Sequence, residues 1–180
     1  DITTTSTLIS RNGIDILIEA MPAVLAKFPD SKLKIAGEGP MEQSLKARIK
    51  ELKIEESVEF LGTIKHEQIP ELVKKSHVFV RPSRFEGFGV SFIEAMALGT
   101  PVITCPVGGI VDFLTNGETG FLVPSENVAE LSKAIIRVFE NEEEVKIITE
   151  KARKLVEGRY DWQNIAKSVE EAYLSATTLK

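Results

Sequence analysis

Strand-like apolar runs and helix-period segments alternate along this chain from one end to the other, and that alternation constrains its fold more than any other feature. Such a series buries its apolar side chains most simply as parallel βαβ units, with helices covering both faces of one sheet. The expected class is therefore α/β: a doubly wound parallel sheet of about six strands flanked by helices. The strands are read at Ile2 to Ile9, Leu33 to Ala36, Val58 to Leu61, His77 to Val80, Val102 to Thr104 and Gly120 to Val123. Between the first two, Ile14, Leu17, Ile18, Met21, Val24 and Leu25 recur at helical spacing until Pro29 and Asp30 break the pattern. Further helices are expected from Gly39-Pro40 to Leu52, from Ile69 to Lys75 and from Ser91 to Leu98. Asn116-Gly117 marks a tight turn. Asn127, followed by Glu130, caps a helical tail read as Val128 to Glu140, Glu142 to Glu157 and Trp162 to Ser175, with Trp162 expected to pack the last helix onto the body.

At 180 residues the chain has the length of one domain, and 1–180 reads as a single Rossmann-like unit with C-terminal helices over 127–180. It opens inside a strand without a methionine, which suggests a segment of a longer chain. Twenty-two basic against 27 acidic residues leave a net charge of -5, so the global footprint of a nucleic-acid binder is missing and only a local basic site could hold an anion. One cysteine, Cys105, excludes an internal disulfide framework and a four-cysteine zinc site, and a reducing, cytoplasmic setting fits best. No apolar run approaches the ~20 residues of a membrane span. Peripheral attachment at the cytoplasmic membrane face would belong to the longer protein.

In open α/β sheets ligands sit beyond the carboxyl ends of the strands, so Arg11 to Gly13, Gly37 to Pro40 and Arg84 to Glu94 come under scrutiny first. Gly37-Glu38-Gly39 begins like a dinucleotide fingerprint, but Glu42 stands where the third glycine belongs, which favours a tight strand-to-helix turn. Glu86 and Glu94 are more informative. The first lies in a glycine-rich loop and the second in the helix that follows, with Gly87 and Gly89 between them. A carboxylate accepts hydrogen bonds from two neighbouring hydroxyls at once, so this pair could grip a ribose and a hexose on either side of a phosphate linkage. The phosphates would lie over Phe88 to Val90, where backbone N–H groups at a helix start supply positive potential. Phe85 and Phe88 could stack on a ligand or fill the core beneath the loop. His66 reads as a turn residue, His77 as a strand opening and Cys105 as a packed small side chain.

Across Pro82 to Ile103 (PSRFEGFGVSFIEAMALGTPVI) the sequence resembles the E-x7-E signature of retaining glycosyltransferases of the GT-B fold, glycosyltransferase family 4 or group 1. Arg11-Asn12-Gly13-Ile14-Asp15, Gly37 to Pro40, Phe60-Leu61-Gly62, Val107 to Ile110, Asn116 to Val123 and Tyr160-Asp161-Trp162 extend the likeness over essentially the whole chain. The resemblance implies the C-terminal, donor-binding half of such an enzyme, with the N-terminal acceptor-binding half absent from this chain. It assigns Glu86 to the donor sugar near the reacting centre and Glu94 to the ribose hydroxyls. Gly87, Phe88, Gly89 and Val90 would line the diphosphate, and Gly62, Thr63 and Ile64 would meet the base. The substrate would be a nucleotide diphosphate sugar, with no cofactor and no metal; the five aspartates include no D-x-D. The acceptor, whether glycan, lipid or small molecule, is not specified. The family commonly carries an arginine after the first strand and a lysine five residues later, and here Thr7 and Asn12 occupy those positions, leaving Arg11 as the substitute cation. A non-catalytic nucleotide-sugar binding or assembly module, such as one subunit of a split transferase, is the competing expectation.

Overall fold

In the computed structural model the backbone is described for residues 1–177 and the side chains for 1–174. Six strands form one parallel sheet: β1 (Ile2–Thr5), β2 (Leu33–Ala36), β3 (Val58–Gly62), β4 (Val78–Arg81), β5 (Val102–Thr104) and β6 (Phe121–Leu122), in the order β3-β2-β1-β4-β5-β6. Among the described residues seven α-helices accompany them: α1 (Ile14–Lys27), α2 (Glu42–Leu52), α3 (Ile69–Lys74), α4 (Val90–Ala97), α5 (Val128–Glu140), α6 (Glu142–Arg159) and α7 (Trp162–Thr177). The α/β, doubly wound architecture read from the sequence is the one observed.

Side chains alternate across the strands, so β4, β5 and β6 each feed two cores, while β1, β2 and β3 contribute to the first alone. Val78 and Val80 join Leu17, Ile18 and Met21 of α1, Leu45 of α2 and Ile135 of α5 on one face, while Phe79 joins Val73 of α3, Phe92 and Met96 of α4 and Val156 of α6 on the other. The Phe79 and Phe92 rings meet edge to face at 5.5 Å. Burial of a side chain of this size contributes roughly 2 to 3 kcal/mol each.

Chain order fixes where a ligand can enter. From β1 the chain steps outward to β2 and β3, then returns through α3 to lay β4 against the free side of β1. The loops leaving β1 and β4 therefore run to opposite faces, which opens a crevice at their carboxyl ends. The pairing shows the opening directly: β1 matches β2 over all four of its residues, but meets β4 only at Ile2↔Val78 and Thr3↔Phe79.

Several expected boundaries shift for identifiable reasons. The first strand ends at Thr5 rather than Ile9. Its backbone continues to hydrogen-bond with the segment after β2, through Ser6 N–H to Ala36 O and Leu8 N–H to Glu38 O, while bending off the sheet. Helix α2 starts at Glu42 because Gly39 to Met41 form a turn closed by the Glu42 N–H on Gly39 O. Helix α5 starts as expected, with Asn127 Oδ1 accepting from the Glu130 N–H at 3.0 Å. Trp162 does not pack onto the body: it is 80% exposed, because α7 rests chiefly on α6.

Candidate functional site

Two adjoining cavities occupy the crevice. One, of about 230 Å³, is walled by Thr5, His66, Ile69, Ser91, Glu94 and Leu98. The other, of about 370 Å³, is walled by Ser6, Thr7, Gly37, Glu38, Thr63 and Ile64. Thr5 and Ile69 line both, so the two are compartments of one groove beyond β1, β2 and β3. Glu94 and the residues Thr63 and Ile64 thus line the same groove, although about 30 residues separate them in the chain. The Glu94 carboxylate has no hydrogen bond or ion pair among the described residues; only the residue's backbone carbonyl is engaged, by the Leu98 N–H at 3.1 Å. The Ser91 and Ser6 hydroxyls are buried without a hydrogen-bond partner, one beside each compartment. The second wall is held in place by Glu38, whose Oε1 accepts from the Thr63 N–H at 3.1 Å, and by the Gly37 N–H on Gly62 O at 2.8 Å. A larger cleft of about 660 Å³, between Phe28, His77, Phe139 and Val145, lies at the opposite end of the sheet and contains none of the candidate residues.

The loop between β4 and α4 forms the rim. Gly89 leads into α4, no side chain caps the helix's first turn, and the Phe92 N–H donates to Gly89 O at 2.9 Å. Val90 is exposed, and Phe88 is half-buried against Phe113 and Tyr160 at ring separations of 5.9 and 5.8 Å. Phe85 is exposed, so neither phenylalanine fills the core under the loop. The loop is seated on a platform made by Gly108 and Gly109, where the Gly109 N–H donates to Gly87 O at 3.0 Å. Arg84 anchors its other side. The Arg84 guanidinium makes paired bonds to Asp15 at 2.9 and 2.7 Å and also holds Glu126 and Ser10 O, while the Arg84 N–H donates to Arg11 O at 2.7 Å. Burial opposes ionisation of the Asp15 carboxyl, but the hydrogen bonds and charge of Arg84 outweigh it and hold that carboxyl below its ordinary value.

Glu86 is not free in the rim. Its Oε2 accepts from Arg81 Nη2 at 2.5 Å and its Oε1 from the Gly87 N–H at 3.1 Å. Arg81, at the end of β4, is 8% exposed; burial, with a smaller contribution from the nearby Arg11 charge, moves its guanidinium below the ordinary arginine value, and Glu86 opposes that shift. The sequence reading passed over Arg81, although a charged residue closing the apolar run Val78-Phe79-Val80 was a visible signal. Thr5, Ser6, Glu38 and His66 were likewise not assigned to the groove, because nothing in their local pattern separates a groove wall from an ordinary loop.

Thr7 and Asn12 stand at the two positions where the resemblance leads one to expect cations. Asn12 is turned inward and donates through Nδ2 to Thr7 O at 2.7 Å, so it braces the loop after β1, and Thr7 presents a neutral hydroxyl. Arg11 is exposed beside them and has no side-chain hydrogen bond or ion pair among the described residues. Also among the described residues, no cluster of three or more His, Cys, Asp or Glu side chains has metal-binding geometry, and no helix is long and apolar enough to cross a membrane.

An open parallel sheet in this strand order, with a groove at its topological switch point, defines a Rossmann-like α/β domain. The chain belongs to the family of glycosyl transferases group 1, whose sequence model matches residues 2–155. It is 32% identical over 168 residues to the phosphatidylinositol N-acetylglucosaminyltransferase gpi3 subunit of Schizosaccharomyces pombe, covering 93% of this chain and 36% of that protein. Among solved structures it is similar to sucrose-phosphate synthase from Thermosynechococcus elongatus, with a TM-score of 0.88 and 29% identity over 99% of this chain and 46% of that one. It is also similar to Anabaena HepE in complex with UDP, with a TM-score of 0.88 and 27% identity over 97% of this chain and 48% of that one. The chain therefore spans between about a third and a half of the length of these relatives.

Proposed function

We propose that this domain is the donor-binding half of a retaining glycosyltransferase and that the groove beyond β1, β2 and β3 receives the nucleotide of a nucleotide diphosphate sugar. The observation that carries the reading is the convergence of the unpaired Glu94 carboxylate and the Thr63–Ile64 backbone on one groove. Glu94 would accept both ribose hydroxyls, and the backbone from Gly62 to Ile64 would meet the edge of the base. The diphosphate would then lie across the first turn of α4, over Gly87 to Val90, with Arg11 as the nearest mobile cation. That order sends the sugar toward Glu86. In the reaction, the acceptor hydroxyl oxygen bonds to the anomeric carbon as the bond from that carbon to the diphosphate breaks; the leaving group carries away the electron pair, and a diphosphate oxygen takes up the hydroxyl proton. An acceptor-binding domain facing this groove would supply the hydroxyl and exclude water.

Calorimetric titration with UDP, GDP, ADP and their sugar conjugates tests this. One nucleotide should bind saturably, and Glu94→Ala should weaken it at least about tenfold, the worth of hydrogen bonds to a charged group. Failure of a folded chain to bind any of them at millimolar concentration, or identical binding by Glu94→Ala, would remove the reading. Thr7 and the inward-turned Asn12 favour a second possibility, a binding or assembly module that holds the nucleotide sugar without cleaving it. That module would retain the titration behaviour, yet the whole protein would release no free nucleotide from the sugar conjugate.

A further inference from the structure

Past Thr3 the sheet parts between β1 and β4, and a single side chain spans the gap. Arg81 Nη1 donates to Thr5 O at 3.1 Å, Nη2 to Glu86 Oε2 at 2.5 Å and Nε to Ser83 Oγ at 3.3 Å, while the guanidinium lies over the Phe92 ring with its carbon 4.6 Å from the centroid. Each contact leads to a different part of the groove. Thr5 is the floor shared by both compartments, Glu86 is the rim carboxylate, and Phe92 sits in the first turn of α4.

We propose that Arg81 is the positioning residue for Glu86: by bridging the open end of the β1–β4 pair it fixes the carboxylate relative to the groove floor, so that the donor sugar meets it in one orientation. This rests on the assignment of Glu86 to the donor sugar. The planar guanidinium can satisfy three separate acceptors and stack on a ring at the same time, which a lysine ammonium on its flexible stem cannot reproduce. An ion pair between side chains that are only 10% and 18% exposed also costs desolvation, which a residue serving packing alone would avoid with an apolar side chain. Glu86 Oε2 is engaged by the arginine and Oε1 by a backbone N–H in its own loop, so both carboxylate oxygens are held while Arg81 stays in place. The arginine acts through Glu86 and touches no ligand itself.

The test is the ratio of two dissociation constants, free nucleotide over nucleotide sugar, because any effect of Arg81 on the groove floor through Thr5 falls on both ligands alike, whereas its effect through Glu86 falls on the sugar conjugate alone. UDP and UDP-glucose serve as probes, or GDP and GDP-mannose if the titrations select guanine. Glu86→Gln and Arg81→Met should each lower the ratio by about fivefold or more, as expected for losing a charge-assisted contact to the sugar. Arg81→Lys should lower it as well, because the charge remains but the bridge does not. The double variant should be no worse than either single variant. It also removes both members of a buried ion pair, so its fold is secured even if Arg81→Met leaves Glu86 stranded and unfolds. Equal losses of nucleotide and nucleotide-sugar affinity in Arg81→Lys would show a structural role only, and additive losses in the double variant would show independent action; either result overturns the proposal. A wild-type chain that binds the nucleotide but gains nothing from the sugar would overturn the Glu86 assignment and, with it, the role of Arg81. A wild-type chain that binds no nucleotide would instead locate the failure in the groove itself.

Discussion

Individual side chains divide sharply by how their charge is used. Glu94 keeps its acceptors free, whereas Asp15 spends both oxygens on Arg84. Because Asp15 is held below its ordinary value, its ion pair stabilises the fold above the pH at which an unfolded aspartate titrates, about 4, and that stability is lost as pH falls through the lowered native value. Asp15→Asn should accordingly cost about 1 kcal/mol at pH 7, the upper end for a partly exposed pair. In urea titrations at pH 3 the difference from wild type should shrink; a gap that stays constant with pH would mean that the pair contributes nothing through charge. Glu86 and Glu94 were singled out in the sequence by their spacing together with the family likeness, and Thr7 and Asn12 by departing from that likeness. Arg81 was not, because an arginine at a strand end is usually a solvated one, and only the parting of β1 from β4 gives it a buried place.

Among the elements, the loop between β4 and α4 depends on a neighbour distant in sequence. Gly108 has φ +54°, and a Cβ there would stand 1.7 Å from Glu86 O. Gly108→Ala should therefore destabilise the chain by roughly 2 kcal/mol or more and also weaken nucleotide-sugar binding, since the Glu86 loop must lift. Gly117 has φ +75°, but a Cβ there meets nothing within 4 Å, so Gly117→Ala should cost only backbone strain, about 1 kcal/mol, and leave binding unchanged. Thermal unfolding and titration of the two variants side by side check the contrast, and equal behaviour would deny the platform its role. The Val107 to Ile110 stretch entered the sequence reading as part of the family likeness; it lies at the start of a 3-10 helix, Gly108–Asp112, whose partner cannot be seen without the sheet order that brings it under the loop. The last helix shows the opposite error: an aromatic at a helix start reads as an anchor, yet Trp162 faces water because α7 leaves the body along α6.

Over the whole molecule, two cores share one sheet, so neither can loosen without exposing strands that the other needs. Cys105 is fully buried in the core that contains α1 and α5, and burial pushes its thiol up, which makes it slow to alkylate in the native state. Across a urea series, Cys105 labelling and the loss of helical circular dichroism should follow the same curve. Labelling that runs ahead of the dichroism would indicate that the two cores open separately. The class of fold was readable from alternation alone, because a parallel sheet must be covered on both faces. The groove was not, because it depends on the place in the strand order where the chain reverses.

Arg84 adds one more consequence for the molecule as a unit. Its side chain joins the start of α1, through Asp15, to the segment ahead of α5, through Glu126, while its own backbone belongs to the Glu86 loop. Three stretches far apart in the chain are thereby locked into a single exchangeable part. A loop transplanted from a relative to alter the sugar accepted would arrive without its anchors unless positions 15 and 126 travelled with it. Variation between relatives in the loop should therefore come in matched sets rather than one residue at a time.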